Sequence, residues 1–406
     1  MHRRNRRGFW WMGVAIGGLL GCSQTTTDKG SCARSLQTES ASSGVGTWIT
    51  VAEPLLDTDG ISEEVLVHGS SGPLTLRISA PSDATACVQL HSVNDAASSA
   101  WVTAPTLIAD YGDYCVSCPQ RVSVGTAGAV YVLPSIDPAP PVTSVMKVRA
   151  ALRDCSTFLP YRSATGRPDR LRVETLSATP LASSARGEVL LEFVITPGSF
   201  LYSDDRELPT VLAEAVAQIN VILQPGSLSV VTQRVRRTTI DDPLELTRGD
   251  VSAITSVVDS LRSCVIEGAT PRSRVLPVVL AGCIRKRDPI LMTISEPEGY
   301  VPHIPDGVIA DQGAYGVYLR GRTCTSGSTP FALTSGDLAK RIAHELGHAL
   351  GLYHTVEQDG TTDQLTDTGT DNLMNYRPSV VAGLGNGFTT SQLQVMRRHP
   401  LIRAAP

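Results

Sequence analysis

Residues 343–354 read Ala-His-Glu-Leu-Gly-His-Ala-Leu-Gly-Leu-Tyr-His and carry three of the chain's eight histidines, His344, His348 and His354. Upstream, Thr334 and Asp337 stand three apart, as a helix N-cap and its partner do. Leu338, Ile342, Leu346 and Leu350 then recur every four residues, which predicts an amphipathic helix through this stretch. On that helix His344 and His348 lie one turn apart on one face. Two imidazoles aimed the same way suit Zn2+. His354 is ten residues beyond His344. On a continued helix it would lie about 15 Å along the axis, out of reach of the same ion. The helix must therefore end, and Gly351 stands where a left-handed cap residue is needed. The spacing predicts a helix, a glycine break and a returning third ligand. Three histidines leave one coordination position open, as catalytic zinc sites do and closed structural sites do not. Glu345 is then the candidate general base. It would take the proton of a zinc-bound water as that water adds to a carbonyl, and return it to the leaving amine.

His344-Glu345-x-x-His348-x-x-Gly351-x-x-His354 resembles the extended zinc signature of the metzincin metallopeptidases. Asn372-Leu373-Met374-Asn375-Tyr376 stands where that family carries a methionine turn. The resemblance implies that Met374 is the apolar floor beneath the histidines and that Tyr376 assists the zinc or the oxyanion. Gly351-Leu352-Tyr353-His354-Thr355 and Phe388-Thr389-Thr390-Ser391-Gln392 are most similar to the pappalysin-type subfamily. Residues 357–371 depart from it: they lack the expected cysteines, and only Asp367-Thr368 matches its acidic turn. The likeness covers residues 340–400. It implies an endopeptidase acting on proteins or peptides. It also implies that the strand before the zinc helix, for which residues 313–319 are the candidate, borders the cleft and pairs with extended substrate. A buried central strand is the competing reading. The rival function is a non-catalytic, zinc-containing surface binding lipoprotein. Asp359, Asp363, Asp367 and Asp371 recur every four residues, a spacing that could hold Ca2+; a solvated acidic loop is the alternative.

The rest of the chain frames this centre. At 406 residues it is long for one compact domain. A net charge of −4 and no run of five basic residues argue against nucleic acid as a partner. Residues 1–21 read as an export signal, with Arg3, Arg4, Arg6 and Arg7 before a short apolar run. Leu19-Leu20-Gly21-Cys22 resembles a bacterial lipobox. It implies that Cys22 is lipidated and tethers the protein to the membrane of the cell envelope, at the outer membrane or cell surface. Arg6-Arg7-Gly8-Phe9 also resembles a twin-arginine export signal. Export places the eight remaining cysteines in an oxidising compartment, where an even count favours disulfides. Residues 22–46 read as a Ser/Thr/Gly-rich tether.

Within 47–155, Leu74, Leu76 and Ile78, and later Met146, Val148, Ala150 and Leu152, follow a period of two. They predict a β-sandwich-like accessory or pro-domain. Residues 156–172 read as a linker. From 173 to 406, strand and helix patterns alternate. A buried strand is expected over 188–196 and a helix from about 208 to 223, stopped by Gln224-Pro225-Gly226. Further strands are expected over 227–233 and 275–280. The fold class is therefore α+β, a metzincin-like catalytic domain with a mixed sheet and a zinc helix, preceded by an all-β unit.

Overall fold

The computed structural model describes residues 46–406 except 70–71, 81–85, 104–123, 127, 140–144, 155–156, 158, 163–169, 178–180, 203–208, 239–243, 248–274, 289–292, 307–315, 359 and 378–386. The export signal, Cys22 and nearly all of the tether lie outside the described residues, as do Cys32, Cys115, Cys118, Cys155 and Cys264.

The amino-terminal unit is two antiparallel sheets. One has the order β1 (Thr47–Ala52), β9 (Arg172–Ser177), β3 (Leu74–Ser79), β7 (Gly128–Leu133). The other has the order β2 (Val65–His68), β8 (Val145–Asp154), β4 (Ala86–Asp95), β5 (Ala100–Thr103), with β6 (Val124–Thr126) also on β4. The predicted alternations face inward: Leu76 and Ile78 from one sheet and Met146, Val148, Ala150 and Leu152 from the other share one core.

The expected linker and the boundary at 172 need correction. Arg170 bridges Leu55, Leu171 is fully buried in this core, and β9 pairs with both β1 and β3. The unit therefore runs through Ser177. The charge-rich stretch hides a period-two strand in which Leu171 and Val173 point inward. Glu174, buried beside them, is matched by Arg77 Nε at 2.6 Å on the neighbouring strand.

The second unit is built on a mixed sheet ordered β11 (Leu228–Arg237), β10 (Gly187–Ile195), β13 (Val275–Ala281), β17 (Val317–Arg320), β16 (Gly299–Tyr300). β11, β10, β13 and β17 run parallel; β16 is antiparallel to β17. β18 (Arg403–Ala404) adds antiparallel to the start of β10. All nine residues of β10 are buried, as expected of a strand with parallel neighbours on both sides. Helix α1 (Thr210–Leu223) makes the crossover from β10 to β11 and ends in a 3-10 turn at Gln224–Gly226. It packs against helix α2 (Ser335–Ala349), and Gln218 Nε2 donates to Ser335 Oγ at 3.1 Å. A separate small sheet has the order β12 (Leu244–Thr247), β14 (Ile284–Asp288), β15 (Thr293–Ser295). A Cys283–Cys324 disulfide ties the end of β13 to the loop after β17. The short helix α3 (Thr390–Arg397) completes the core. The architecture is α+β.

The expectation that residues 313–319 form the free cleft edge is overturned. Residues 313–315 lie outside the described residues, and β17 is paired on both sides, to β13 and to β16. Among the described residues, the two-residue strand β16 takes the edge instead. The two units meet at Arg398, whose guanidinium donates to Pro134 O (3.2 Å), Ile136 O (2.5 Å) and Asp137 Oδ1 (2.7 Å). Trp48 and Leu176 of the first unit pack against the core of the second.

Candidate metal centre

Helix α2 starts as its sequence requires. Thr334 is the N-cap; its Oγ1 accepts from the Asp337 N–H (3.1 Å) and donates to Asp337 Oδ2 (2.7 Å). Its end is a Schellman turn. Gly351 has φ +102°, its N–H donates to His348 O (3.0 Å), and Leu352 N–H donates to Gly347 O (2.9 Å). The backbone thus reverses and brings His354 back over the helix.

His344, His348 and His354 converge: one ring nitrogen of each lies within 4.8 Å of the others. The opposite nitrogens are all committed. His344 Nδ1 meets Leu373 O at 2.8 Å, His348 Nδ1 meets Leu352 O at 2.7 Å, and His354 Nδ1 meets Glu357 Oε2 at 2.7 Å. A carbonyl or carboxylate oxygen only accepts, so each Nδ1 carries a proton, and in the neutral ring each Nε2 keeps its lone pair for a metal. His348 Nε2 and His354 Nε2 are 3.0 Å apart. Two lone pairs at that distance repel unless a proton or a metal ion lies between them. Tetrahedral zinc at Zn–N ≈ 2.0–2.1 Å would hold two such nitrogens about 3.3 Å apart. The donor set therefore fits a metal ion of this kind. Burial, with the neighbouring His354 adding, pushes the His344 imidazole down to about 3, so that ring stays neutral.

Glu345 is buried at the same place. It lies flat against β16: a Cβ added to Gly299 would come within 2.5 Å of the Glu345 carboxyl carbon and 2.6 Å of its Cγ. Burial pushes its carboxyl up to about 8, and Glu298 adds to the rise. Glu345, the three histidines, Gly299, Tyr300 and His303 line a cleft of about 740 Å³, and Tyr376 and Arg377 line it too. Tyr376 is half-buried, with the Arg377 guanidinium 5.1 Å from its ring centroid.

Met374 is fully buried under the helix. A Cβ on Gly347 would fall 2.5 Å from its sulfur, so the glycine between the two helical histidines is what admits it. The turn is held from outside. Asn372 Oδ1 accepts from Met374 N–H (2.8 Å), and Asn372 and Gln392 exchange amide hydrogen bonds of 3.1 Å each way. Gln392 is also the N3 residue of the α3 capping box on Thr389.

The acidic series does not gather into a cation site among the described residues. Asp359 lies outside them. Asp363 accepts from Thr368 Oγ1 (2.6 Å), and Asp367 accepts from Thr389 Oγ1 (2.9 Å) and Ser391 N–H (3.0 Å) at the start of α3. Partial burial works against the Asp367 charge, but those hydrogen bonds hold its carboxyl below the ordinary carboxylate range. It serves a helix end.

Three contributors escaped sequence reasoning: Glu357, Gly299 and the Asn372–Gln392 pair. Glu357 had a local signal, a carboxylate three residues after the third histidine. Gly299 and the amide pair had none, because their contacts are long-range.

No family model matches the chain, and no curated protein does. Among solved structures the chain is similar to mirolysin in complex with a compound, at 14% identity over 52% of this chain and 91% of that one, with a TM-score of 0.31. It is also similar to a family two carbohydrate esterase from Cellvibrio japonicus, at 8% identity over 57% and 75%, TM-score 0.16. An acetyl xylan esterase from Butyrivibrio proteoclasticus matches at 11% identity over 57% and 81%, TM-score 0.15. Likenesses this slight carry no argument about activity. The chemistry of the centre has to come from its own residues.

Proposed function

We propose that the chain is a zinc-dependent endopeptidase of the metzincin type, nearest the pappalysin-type subfamily, that hydrolyses peptide bonds of proteins. It is exported and held on the bacterial envelope through a lipid on Cys22. One observation carries the catalytic reading: three Nε2 lone pairs, each fixed by a bonded Nδ1, face one point beside a buried carboxylate in an open cleft.

His344, His348 and His354 would hold the ion. Bound there, zinc would acidify water and polarise the scissile carbonyl. Beside a dication bound there, the Glu345 carboxyl, which burial raises, would be drawn back to its ionised form; as a carboxylate it would accept the water proton and pass it to the leaving nitrogen. Its packing against Gly299 sets where that carboxylate stands. Extended substrate lies along β16, the edge strand, by main-chain hydrogen bonds. Tyr376 steadies the oxyanion, and Met374 supports the histidines from below.

The test uses purified mature protein on casein, with and without a zinc chelator. Cleavage is expected to stop with chelator and return with zinc. Glu345→Gln is expected to keep its zinc and lose cleavage; wild-type turnover by that variant would sink the mechanism. A wild-type chain with full zinc and no cleavage would establish the non-catalytic surface lipoprotein instead. Mass spectrometry of the mature amino terminus tests Cys22.

A further inference from the structure

The three ligand histidines do not have the same support. His344 and His348 project from one helix, and each gives its Nδ1 proton to a main-chain carbonyl. His354 comes from the returning loop, where no helix fixes its direction, and it gives its Nδ1 proton to the Glu357 carboxylate at 2.7 Å. That carboxylate is buried.

Glu357 is itself anchored. Its N–H donates to Thr361 O (2.7 Å), and its carbonyl accepts from Gly360 N–H (3.0 Å). On one side Val356 forms a bridge with Thr362. On the other, Tyr376 N–H donates to Val356 O (3.3 Å) and Thr355 N–H donates to Met374 O (2.9 Å). The segment 354–357 is thus clamped between a tight turn and the methionine turn. A carboxylate partner fixes ring direction and tautomer, as a carbonyl does, and also makes the far nitrogen more basic. Its negative charge, held out of water, offsets part of the charge of a dication.

We infer that Glu357 is a positioning residue that sets the affinity of the centre for its metal ion by acting through His354. The inference rests on the zinc reading above.

Zinc dissociation constants are measured on the mature full chain by competition with a chromophoric chelator. The proteins are wild type, Glu357→Gln and Glu357→Ala, and the same two changes in a His354→Ala background. Glu357→Ala is expected to weaken zinc binding about 10- to 100-fold. Glu357→Gln keeps an acceptor oxygen without the charge and is expected to recover part of the loss. In the His354→Ala background neither change is expected to weaken binding further, because the contact is already gone. Should the alanine variant not fold, the nearly isosteric glutamine variant carries the comparison. Equal constants for wild type and the Glu357 variants overturn the inference. So does an equal loss in the His354→Ala background, which would mean that Glu357 acts through the fold alone. A wild-type chain that binds no zinc overturns the proposed function along with it.

Discussion

On the proposed function, replacing Gly299 by alanine is expected to separate Glu345, as general base, from the metal. The new Cβ would come within 2.5 Å of the Glu345 carboxyl carbon, and its three nearest atoms all belong to Glu345. Carbon–carbon contact is comfortable from about 3.5 Å, so the carboxyl group must withdraw by about 1 Å. The yielding atoms are the far end of a flexible side chain. The fold should therefore lose only on the order of 1 kcal/mol, the low end of overpacking. The histidines keep their Nδ1 partners, so zinc content should hold. Catalysis is far less tolerant, since a 1 Å misplacement can cost about 10²-fold in rate, or about 2.7 kcal/mol of barrier. The assay is kcat/KM on a fluorescent casein peptide, read beside zinc content and thermal unfolding of the same preparation. Wild-type kcat/KM in Gly299→Ala would refute the reasoning. So would a rate loss matched by an equal loss of zinc.

Gly351→Ala forces a side chain onto φ +102°; the strain is expected to cost about 1–3 kcal/mol in thermal unfolding and to weaken zinc binding, because this cap delivers His354. Gln392→Leu removes both amide bonds to buried Asn372, which keeps only Met374 N–H and a long contact to Gly387 O, a loss of about 1–3 kcal/mol measurable by urea unfolding. His399 is buried, and burial pushes its imidazole down to about 3 from an ordinary 6.5. The unfolded chain then binds the proton first, so stability should rise with pH from about 3 to 6.5. His399→Gln should shrink the difference in urea stability between pH 7 and pH 4.5, and an unchanged difference would count against this account.

What could be read from sequence was the local part. Thr334, Gly351 and the four-residue spacing of His344 and His348 each act over one or two helical turns, so their physics is written in neighbouring letters. The helix over Thr210–Leu223 and the strand over Gly187–Ile195 were legible for the same reason. What stayed hidden depends on partners far along the chain. From sequence, residues 173–177 of β9 fall to the second unit, because the pairing with β1 and β3 that makes β9 part of the first lies more than ninety residues earlier. The cleft edge was placed at 313–319, the strand before the zinc helix, as the resemblance implies; β16 stayed hidden because two residues, Gly299 and Tyr300, are too few to show a period. Gly299 matters only through Glu345, 46 positions on, and Asn372 only through Gln392. The acidic repeat, read as a solvated loop with Ca2+ as the lesser alternative, has a regular spacing but no helical geometry, and among the described residues it gathers into no metal-binding cluster.

β9 lies downstream of the arginine-bearing stretch 163–169, yet it is inserted between β1 and β3. A protease cutting within that stretch would sever the polypeptide without parting it. The amino-terminal fragment would keep β1 and β3, while the histidine-bearing fragment would stay sewn in by its own first strand and by the Arg398 contacts. Such a nicked particle runs as two bands under denaturing conditions and as one peak in gel filtration. Maturation by that route would change the number of chain ends and leave the cleft in the same company as before.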